Sequence, residues 1–375
     1  MNKYKNNKSE INFTKLISSN YILEDIFSFL SEKEKLNIII YNRNLQNKLG
    51  INIKDYKTMS RVYREGERNG KGKEYEQSTN IMIFEGEYLN GKRNGKGKEY
   101  YTDNNKLKFE GEYLNRKRKG KGKEYHHDNG KLIFEGNYLN GERNGKGKEY
   151  YNNGKIKFIN EYLNGERNGK GKEYYTDGKL KFKGEYLNGK KWNGKGYNKE
   201  GKIDFAIKEG KGEGKEYSDF GILEFEGEYL NGERNGKGKE YYTDNKIKFK
   251  GEYLIGKRNG KGKEYFIDGK IIFEGIYMDG KRWNGKGYNQ EGEFDFEIIE
   301  GNGKGKEYYE FDVLEFEGEY LNGERNGKGK EYYRYGNLKY EGEYLNGKRN
   351  GHGKEYNRYG NLEYNGEYLN GMRLK

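Results

Sequence analysis

The sequence predicts an all-β repeat fold: an elongated single-layer antiparallel ribbon of β-hairpins, preceded by a small α-helical N-terminal module. Three observations support this prediction. The string GEYLNGxRNGKGKEYY recurs with small variations from Tyr63 to Lys375, its polar and apolar residues alternate with a period of two, and Asn-Gly or Asp-Gly pairs separate the alternating runs. A short fixed repeat is typical of stacked identical units rather than of one globular core.

Residues 1–62 differ from the repeats and predict the helical module. Apolar residues at helical spacing between Ile22 and Leu30 indicate a first helix. A second helix is expected from about Glu32 to Leu49, where Gly50 would end it.

Residues 63–375 are predicted to form about 13 hairpin units, because an aromatic residue opens a new unit every 20 to 25 residues. A longer period is superimposed on the short one. Residues 182–272 match residues 273–363 at an offset of 91, including both short steps, which indicates a duplicated four-unit block. The opening aromatic residues are Phe84, Phe109, Phe134, Phe158, Phe182, Phe205, Phe225, Phe249, Phe273, Phe296, Phe316, Tyr340 and Tyr364.

The unit around Phe182 shows why a hairpin is predicted. Successive side chains of a strand point to opposite faces, so one face of this unit carries aromatic residues and glycine while the other carries mainly lysine and glutamate. Asp177-Gly178 is a strong hairpin signal between the two runs. This turn predicts three cross-strand pairs: Tyr175 with Leu180, Gly171 with Gly184, and Gly169 with Tyr186. The large rings are therefore expected to lie beside or over glycines.

The connection LNGKRN that follows Tyr88 leaves two registers open. A tight Asn90-Gly91 turn would place Phe84 opposite Gly97, whereas a six-residue loop would place Gly86 opposite Gly97. Both registers keep aromatic residues and glycines on the same face.

The composition also bounds the class of protein. Hydrophobic residues make up 31 % and charged residues 36 % of the chain, yet 39 tyrosines and 18 phenylalanines at periodic positions indicate order rather than disorder. The absence of cysteine excludes disulfides and thiolate metal sites. The sequence shows no signal-peptide pattern and no apolar run of 18 residues. We therefore expect a cytoplasmic protein, either free in the cytoplasm or peripheral to a membrane.

Catalytic and cofactor signals are weak, and we expect no enzyme, no metal and no cofactor. Gly-x-Gly runs share only their composition with phosphate-binding loops, because they fall on predicted strands and no GxxxxGK[ST] occurs. Nearly every unit carries one glutamate in KGKEY, on the face of the arginines. We interpret these glutamates as members of a structural Arg–Glu or Tyr–Glu ladder.

The charge indicates a second kind of partner. The net charge is +13 and the pI is about 9.2, so the lysine-rich face is a candidate for binding anionic membrane lipid, with nucleic acid the less favoured polyanion. The alternative is an ordinary solvated face on which lysine and glutamate alternate. The candidate polyanion-facing residues are Lys170, Lys172, Lys181 and Lys183.

The segment Phe84-Glu85-Gly86-Glu87-Tyr88, followed by Asn90-Gly91 and Gly95-Lys96-Gly97, resembles the MORN repeat. The resemblance recurs over about five-sixths of the chain, with Tyr where the second aromatic is usually Trp and Asn where His usually precedes Gly-x-Gly. It implies a single-sheet ribbon used for scaffolding, partner binding or membrane-proximal placement. The leading hypothesis is a non-enzymatic scaffold for a protein partner, with self-association as a further expectation and no small-molecule substrate.

The segment ILEDIFSFLSEKEKLNIIIYNRNLQNKL is similar to an F-box, although it lacks the Leu-Pro start and has Leu45 where Trp is common. The resemblance implies an alternative function, a substrate adaptor of a cullin-type ubiquitin ligase in which the repeats bind the client. The other interpretation of this segment is a helical cap over the first edge of the ribbon. The candidate docking residues are Ile26, Phe27, Leu30 and Leu36.

Overall fold

The computed structural model describes residues 62–309 and 312–374, which form strands and turns and include no helix, and therefore none long and apolar enough to cross a bilayer. The chain divides into two compact units, Met1–Gly145 and Lys146–Lys375. The predicted N-terminal helices, the F-box-like segment and its docking residues lie outside the described residues and stay predictions; those residues are Ile26, Phe27, Leu30 and Leu36.

In the first unit, strands β1 to β7 pair in chain order, and every pair is antiparallel. The eighth strand crosses from the first unit into the second. These strands are β1 (Val62–Gly66), β2 (Gly70–Glu76), β3 (Met82–Leu89), β4 (Lys92–Tyr100), β5 (Leu107–Leu114), β6 (Lys117–Tyr125), β7 (Leu132–Leu139) and β8 (Glu142–Tyr150).

In the second unit, β9 to β13 pair in chain order, and β14 to β28 form a 15-stranded sheet, also in chain order. The first group comprises β9 (Ile156–Leu163), β10 (Glu166–Tyr174), β11 (Leu180–Leu187), β12 (Lys190–Tyr197) and β13 (Ile203–Ile207). The second group comprises β14 (Gly212–Tyr217), β15 (Leu223–Leu230), β16 (Glu233–Tyr241), β17 (Ile247–Leu254), β18 (Lys257–Tyr265), β19 (Ile271–Met278), β20 (Lys281–Tyr288), β21 (Phe294–Ile299), β22 (Asn302–Tyr308), β23 (Leu314–Leu321), β24 (Glu324–Tyr332), β25 (Leu338–Leu345), β26 (Lys348–Tyr356), β27 (Leu362–Leu369) and β28 (Met372–Arg373).

The hairpin of β3 and β4 combines features of both predicted registers. Leu89 pairs with Lys92 across a two-residue turn, yet Gly86 pairs with Gly97. A bulge in β4 absorbs the difference, because extra residues of β4 lie opposite a single residue of β3. Gly95 lies in this bulge with a φ of +97°, a backbone conformation that glycine adopts without steric cost.

The prediction for the Asp177-Gly178 turn was partly wrong. The two pairs that involve glycine form as predicted, but Leu180 pairs with Tyr174 instead of Tyr175. The loop holds three residues rather than two, because the Tyr175 N–H donates to the Lys179 carbonyl. Tyr175 therefore leaves the ladder, and its buried side chain donates a hydrogen bond of 2.9 Å to a carbonyl of β12.

The predicted 91-residue duplication is confirmed, because the same contacts recur at that offset. Both short units join an aspartate to a lysine and stack two phenylalanine rings in parallel. The contacts are Asp204–Lys215 and Asp295–Lys306, with Nζ–Oδ1 distances of 3.0 Å, and Phe182–Phe205 and Phe273–Phe296, with centroid distances of 6.3 Å.

The first short unit also interrupts the sheet, so a single continuous ribbon through it was a wrong expectation. Between β13 and β14 the chain forms one isolated bridge, Lys208–Lys211, whereas the duplicated strands β21 and β22 pair at two positions. The five-residue β13 is short, and the Asp204–Lys215 side-chain ion pair joins it to β14, as Asp295–Lys306 joins β21 to β22.

Each standard hairpin buries its opening aromatic ring against a single sheet layer. Phe109 is fully buried, and a Cβ on Gly122 beneath it would lie only 2.4 Å from the ring. The Arg118 guanidinium lies 4.0 Å from the ring centroid, and the Tyr113 and Tyr138 rings pack edge-on at 5.7 and 5.1 Å. Glycines thus make room for the ring, as predicted, and neighbouring side chains cover it.

Adding one methyl group beneath such a ring should destabilise the second unit. A Cβ on Gly238 would lie 2.6 Å from the Phe225 ring, so Gly238→Ala is expected to lower the free energy of unfolding by about 1–3 kcal/mol through overpacking. The control Lys237→Ala changes an exposed side chain and should stay within about 0.5 kcal/mol. Urea unfolding followed by circular dichroism measures both; equal midpoints for the two variants would contradict the packing argument.

Candidate interaction surface

The strands present two chemically different faces. The aromatic face carries the phenylalanines, the tyrosines that follow Gly-Glu, the arginines and the glutamates of KGKEY. The charged face carries the lysines, the remaining glutamates and the tyrosine of KGKEY. The two faces follow from the alternation of side chains along each strand, and each has its own pattern of polar contacts.

On the aromatic face of the first unit, a ladder of polar side chains joins successive hairpins. Glu99 accepts a hydrogen bond of 2.7 Å from the Tyr113 hydroxyl and one of 2.8 Å from Arg118 Nη2. Arg93 Nη1 lies 3.6 Å from the same carboxylate. Each such glutamate therefore binds the tyrosine and the arginine of the following hairpin, in charge-assisted contacts.

The second unit repeats this ladder. Glu264 accepts 2.7 Å and 2.6 Å hydrogen bonds from the Tyr277 hydroxyl and Arg282 Nη2, and Arg258 Nη1 lies 3.2 Å away. Burial alone would raise the pKa of Glu264, but the charge and hydrogen bonds of Arg282, with Arg258 and Tyr277, outweigh it and lower the pKa to about 2. The interpretation of the KGKEY glutamates as structural is confirmed.

The polar groups of the aromatic face are therefore used inside the protein. Guanidinium groups that cover phenylalanine rings are also the groups that bind the glutamates, so packing and charge pairing depend on the same side chains. A partner would have to break these contacts to use them. The charged face is consequently the better candidate for recognition.

On the charged face of the first unit, one row of residues in cross-strand register alternates lysine with glutamate. Opposite charges side by side stabilise a sheet and leave little net charge. Tyr100 and Tyr125 each donate a 2.6 Å hydrogen bond to a glutamate of this row. The row is formed by Lys73, Glu85, Lys98, Glu110, Lys123 and Glu135.

In the second unit, the same row departs from the pattern at five positions, which include Ala206 and Asn365. Ile159, Lys183 and Lys250 stand where other hairpins have glutamate. Two lysine triplets in cross-strand register result. The first triplet is Lys172, Lys183 and Lys195, on β10, β11 and β12, and the second triplet is Lys239, Lys250 and Lys263, on β16, β17 and β18.

Three of the four candidate polyanion-facing lysines share this face. Lys170, Lys172 and Lys183 are exposed, whereas the prediction for Lys181 was wrong. Lys181 is 7 % exposed, and its Nζ lies 3.0 Å from Glu173 of the aromatic-face ladder. The register shift beside Glu173 breaks the alternation that had placed Lys181 with the other lysines.

A groove of about 1330 Å³ opens on the second unit along β13 to β19. Glycines in cross-strand register contribute backbone to its floor, and charged side chains line it. The six lysines and six acidic residues balance; they are Lys215, Lys237, Lys239, Lys250, Lys261, Lys263, Asp204, Glu213, Glu226, Glu228, Glu252 and Glu274.

The tyrosine–glutamate pairs of the charged face were missed in the sequence analysis. Tyr241 and Tyr288 donate to glutamates of the row at 2.5 and 2.8 Å. Where glutamate is replaced, the corresponding hydroxyls of Tyr174, Tyr197 and Tyr265 lack that carboxylate. The recurrent separation of 14 or 15 residues between this tyrosine and the row glutamate is the signal that could have revealed the pairs.

The strands and the ladder define a β-hairpin repeat protein. Eight segments of the chain match the family model of the MORN repeat. The matched segments are residues 62–75, 84–106, 134–156, 161–179, 225–246, 249–271, 316–337 and 340–358.

A search of curated proteins found no match. Among solved structures, virginiamycin B lyase from Staphylococcus aureus is 10% identical, with 58% of this chain and 82% of that chain covered and a TM-score of 0.21. Alternansucrase in complex with isomaltononaose is 13% identical, with 73% of this chain and 20% of that chain covered and a TM-score of 0.17. Similarity at these TM-scores indicates neither the fold nor the function of this chain.

Acid should weaken the ladder. The pKa of Glu264 is about 2 in the folded protein, below its ordinary value of 4.5, so its contribution to stability is complete above about pH 4.5 and is lost as the pH falls toward 2. We expect the thermal unfolding midpoint to be level near neutral pH and to fall between pH 4.5 and 2. A midpoint unchanged down to pH 2 would argue against this role of the carboxylates.

Removing one ladder carboxylate should be costly at neutral pH. Glu264→Gln leaves Arg258 and Arg282 without their shared anion, and breaking a largely buried pair costs about 3 kcal/mol. Glu297→Gln is the matched control, because Glu297 is exposed on the charged face. Chemical unfolding of both variants decides the matter: if Glu264→Gln is as mild as its control, the ladder does not stabilise the array.

Proposed function

We propose that this protein is a non-enzymatic interaction scaffold whose charged face binds a protein partner in the groove along β13 to β19. The observation that supports the proposal most directly is the mixed charge of that groove: six lysines and six acidic residues line it, and three of each stand outside the three ion pairs formed within it. A protein surface carries both signs of charge, so a mixed groove suits it better than a uniformly anionic polymer. MORN repeats are consistent with such a repeat-based scaffold.

The distribution of charge within the groove gives the partner a direction. Glu213 and Glu228 face each other on β14 and β15, whereas Lys237 and Lys261 lie on β16 and β18. Ile276, opposite Lys261, adds an apolar contact. A partner with a basic region followed by an acidic one would match this order, and such complementarity gives specificity and orientation.

The glycines of the floor favour close approach. Gly227, Gly238, Gly251 and Gly262 follow one another in cross-strand register, and because their side-chain positions point to the aromatic face, strand backbone forms the floor between the two rows of charged side chains. A partner side chain can therefore reach the strand backbone between the charged walls.

Two finer roles, both inferred from the sequence, also remain hypotheses. Placement at an anionic membrane is supported by the net charge of +13 and by the exposed Lys170, Lys172 and Lys183. The ubiquitin-ligase adaptor role is supported only by the F-box-like sequence of residues 22–49.

Affinity purification of the full chain from its native cell tests the scaffold. The groove variant Lys237→Glu/Lys261→Glu should lose the bound partner at least tenfold, because it reverses two charges of the groove. The matched variant Lys304→Glu/Lys328→Glu makes the same change in net charge at exposed lysines of the same face outside the groove, and should retain it. Equal retention by both variants, or no specific partner with the unmodified chain, would refute the assignment of the groove.

A further inference from the structure

The first lysine triplet is an electrostatic anomaly. Lys172, Lys183 and Lys195 are exposed and lie directly opposite one another on adjacent strands, an arrangement in which like charges destabilise a sheet. The structure shows no ion pair between these three lysines and any residue in 62–309 or 312–374. Elsewhere in this row glutamates separate the lysines, apart from the second triplet, in which two of the three lysines are ion-paired to glutamates.

The surroundings of the first triplet do not neutralise it. Its cross-strand neighbours at the two ends are Ile159 and Ala206, which are both uncharged. In the next row toward the turns, Glu185 faces Lys170 and accepts a 2.9 Å hydrogen bond from the Asn193 amide. Glu185, the acidic residue closest in register, is therefore already hydrogen-bonded to Asn193. Its negative charge marks the edge of the positively charged patch on that side.

Two tyrosine hydroxyls border the triplet on the other side. Tyr174 and Tyr197 occupy the position whose hydroxyl elsewhere donates to a row glutamate, as Tyr288 does to Glu274 at 2.8 Å. Their would-be acceptors are replaced by Ile159 and Lys183. The place thus combines three ammonium groups with two hydroxyl donors that lack the usual carboxylate, a set suited to an oxyanion.

We propose that Lys172, Lys183 and Lys195, with the Tyr174 and Tyr197 hydroxyls, bind a compact, multiply phosphorylated soluble ligand. Adjacent strands lie about 4.8 Å apart, so the three lysines span roughly 10 Å, a scale that matches neighbouring phosphates on one small molecule. This site lies outside the groove assigned to the protein partner and does not depend on it.

The charges around the site favour a compact ligand over a bilayer. Along much of the row in the second unit, apart from the second triplet, lysines face glutamates, as in the Lys215–Glu226 pair and from Lys306 to Lys354. An extended anionic surface laid on this face would meet carboxylates as well as lysines. A ligand no wider than three strands meets only the triplet.

The second triplet provides an internal comparison. Lys239 lies 2.9 Å from Glu226 and Lys263 lies 2.8 Å from Glu274, so its two outer lysines are neutralised within the protein. Lys250 is left as its one lysine without an ion pair to a described residue. The second triplet should therefore bind phosphate much more weakly than the first.

Isothermal titration of the purified full chain with inositol hexakisphosphate and with tripolyphosphate tests the proposal. We expect saturable binding that weakens as salt rises. Lys183→Glu should weaken it at least tenfold, and Tyr197→Phe severalfold. Lys183→Glu restores the ordinary lysine–glutamate row and gives Tyr197 an acceptor, so its thermal midpoint should be equal or higher, which separates lost binding from unfolding. Lys250→Glu, the matched charge reversal in the second triplet, should change affinity less than twofold.

Co-sedimentation with phosphoinositide vesicles in 150 mM salt distinguishes the source of the phosphate. The proposal predicts that the soluble probes bind and compete with any vesicle binding that occurs. Vesicle binding through Lys183 without binding of either soluble probe would assign the triplet to a membrane and overturn the proposal. Absence of binding to all probes, or equal loss in the Lys183 and Lys250 variants, would overturn it as well. Because no protein partner is present in these assays, failure would leave the scaffold function untouched.

Discussion

The fold depends on burying an aromatic ring on a sheet that has no second layer to cover it. In most of the standard hairpins the protein meets this constraint by placing glycines beneath the ring and an arginine above it, as at Phe109 with Gly122 and Arg118. The arginine is held by a glutamate of the preceding hairpin. Each hairpin thus completes the cover of its own ring only when its neighbour is present, so stability arises from nearest-neighbour contacts.

Because of this constraint, the two faces of the sheet have different roles. Arginine, glutamate and tyrosine on the aromatic face are committed to one another, with Glu264 an example whose pKa is lowered to about 2 by its partners. The charged face covers no phenylalanine ring: its contacts are lysine–glutamate neighbours and tyrosine–glutamate hydrogen bonds, and its residues vary between hairpins. Function is therefore expected where the repeats differ from one another on the charged face, and the groove and the first triplet are two such places.

Much of the fold was predictable because its determinants are local. The alternation of side chains along the strands predicted the two faces, and the Asn-Gly turns predicted the hairpins. The 91-residue duplication was visible in the sequence, and the structure has equivalent contacts at that offset, Asp204–Lys215 and Asp295–Lys306. The candidate site was predictable only in part. Lys172 and Lys183 were assigned to the charged face from parity alone, whereas Lys181 was misplaced because a register shift beside Glu173 reverses the parity that the sequence suggests.

The sequence by itself determined the repeating hairpin, the position of most opening rings over glycine and the separation of charge from aromatic residues, because side-chain alternation along a strand is a property of the local backbone. The tertiary structure decided which lysines become neighbours. Lys172, Lys183 and Lys195 are 11 and 12 residues apart along the chain, and bulges together with loop lengths set the register that brings them side by side. Register is a relation between strands, and so the lysine triplet and the groove emerged only when the strands were paired.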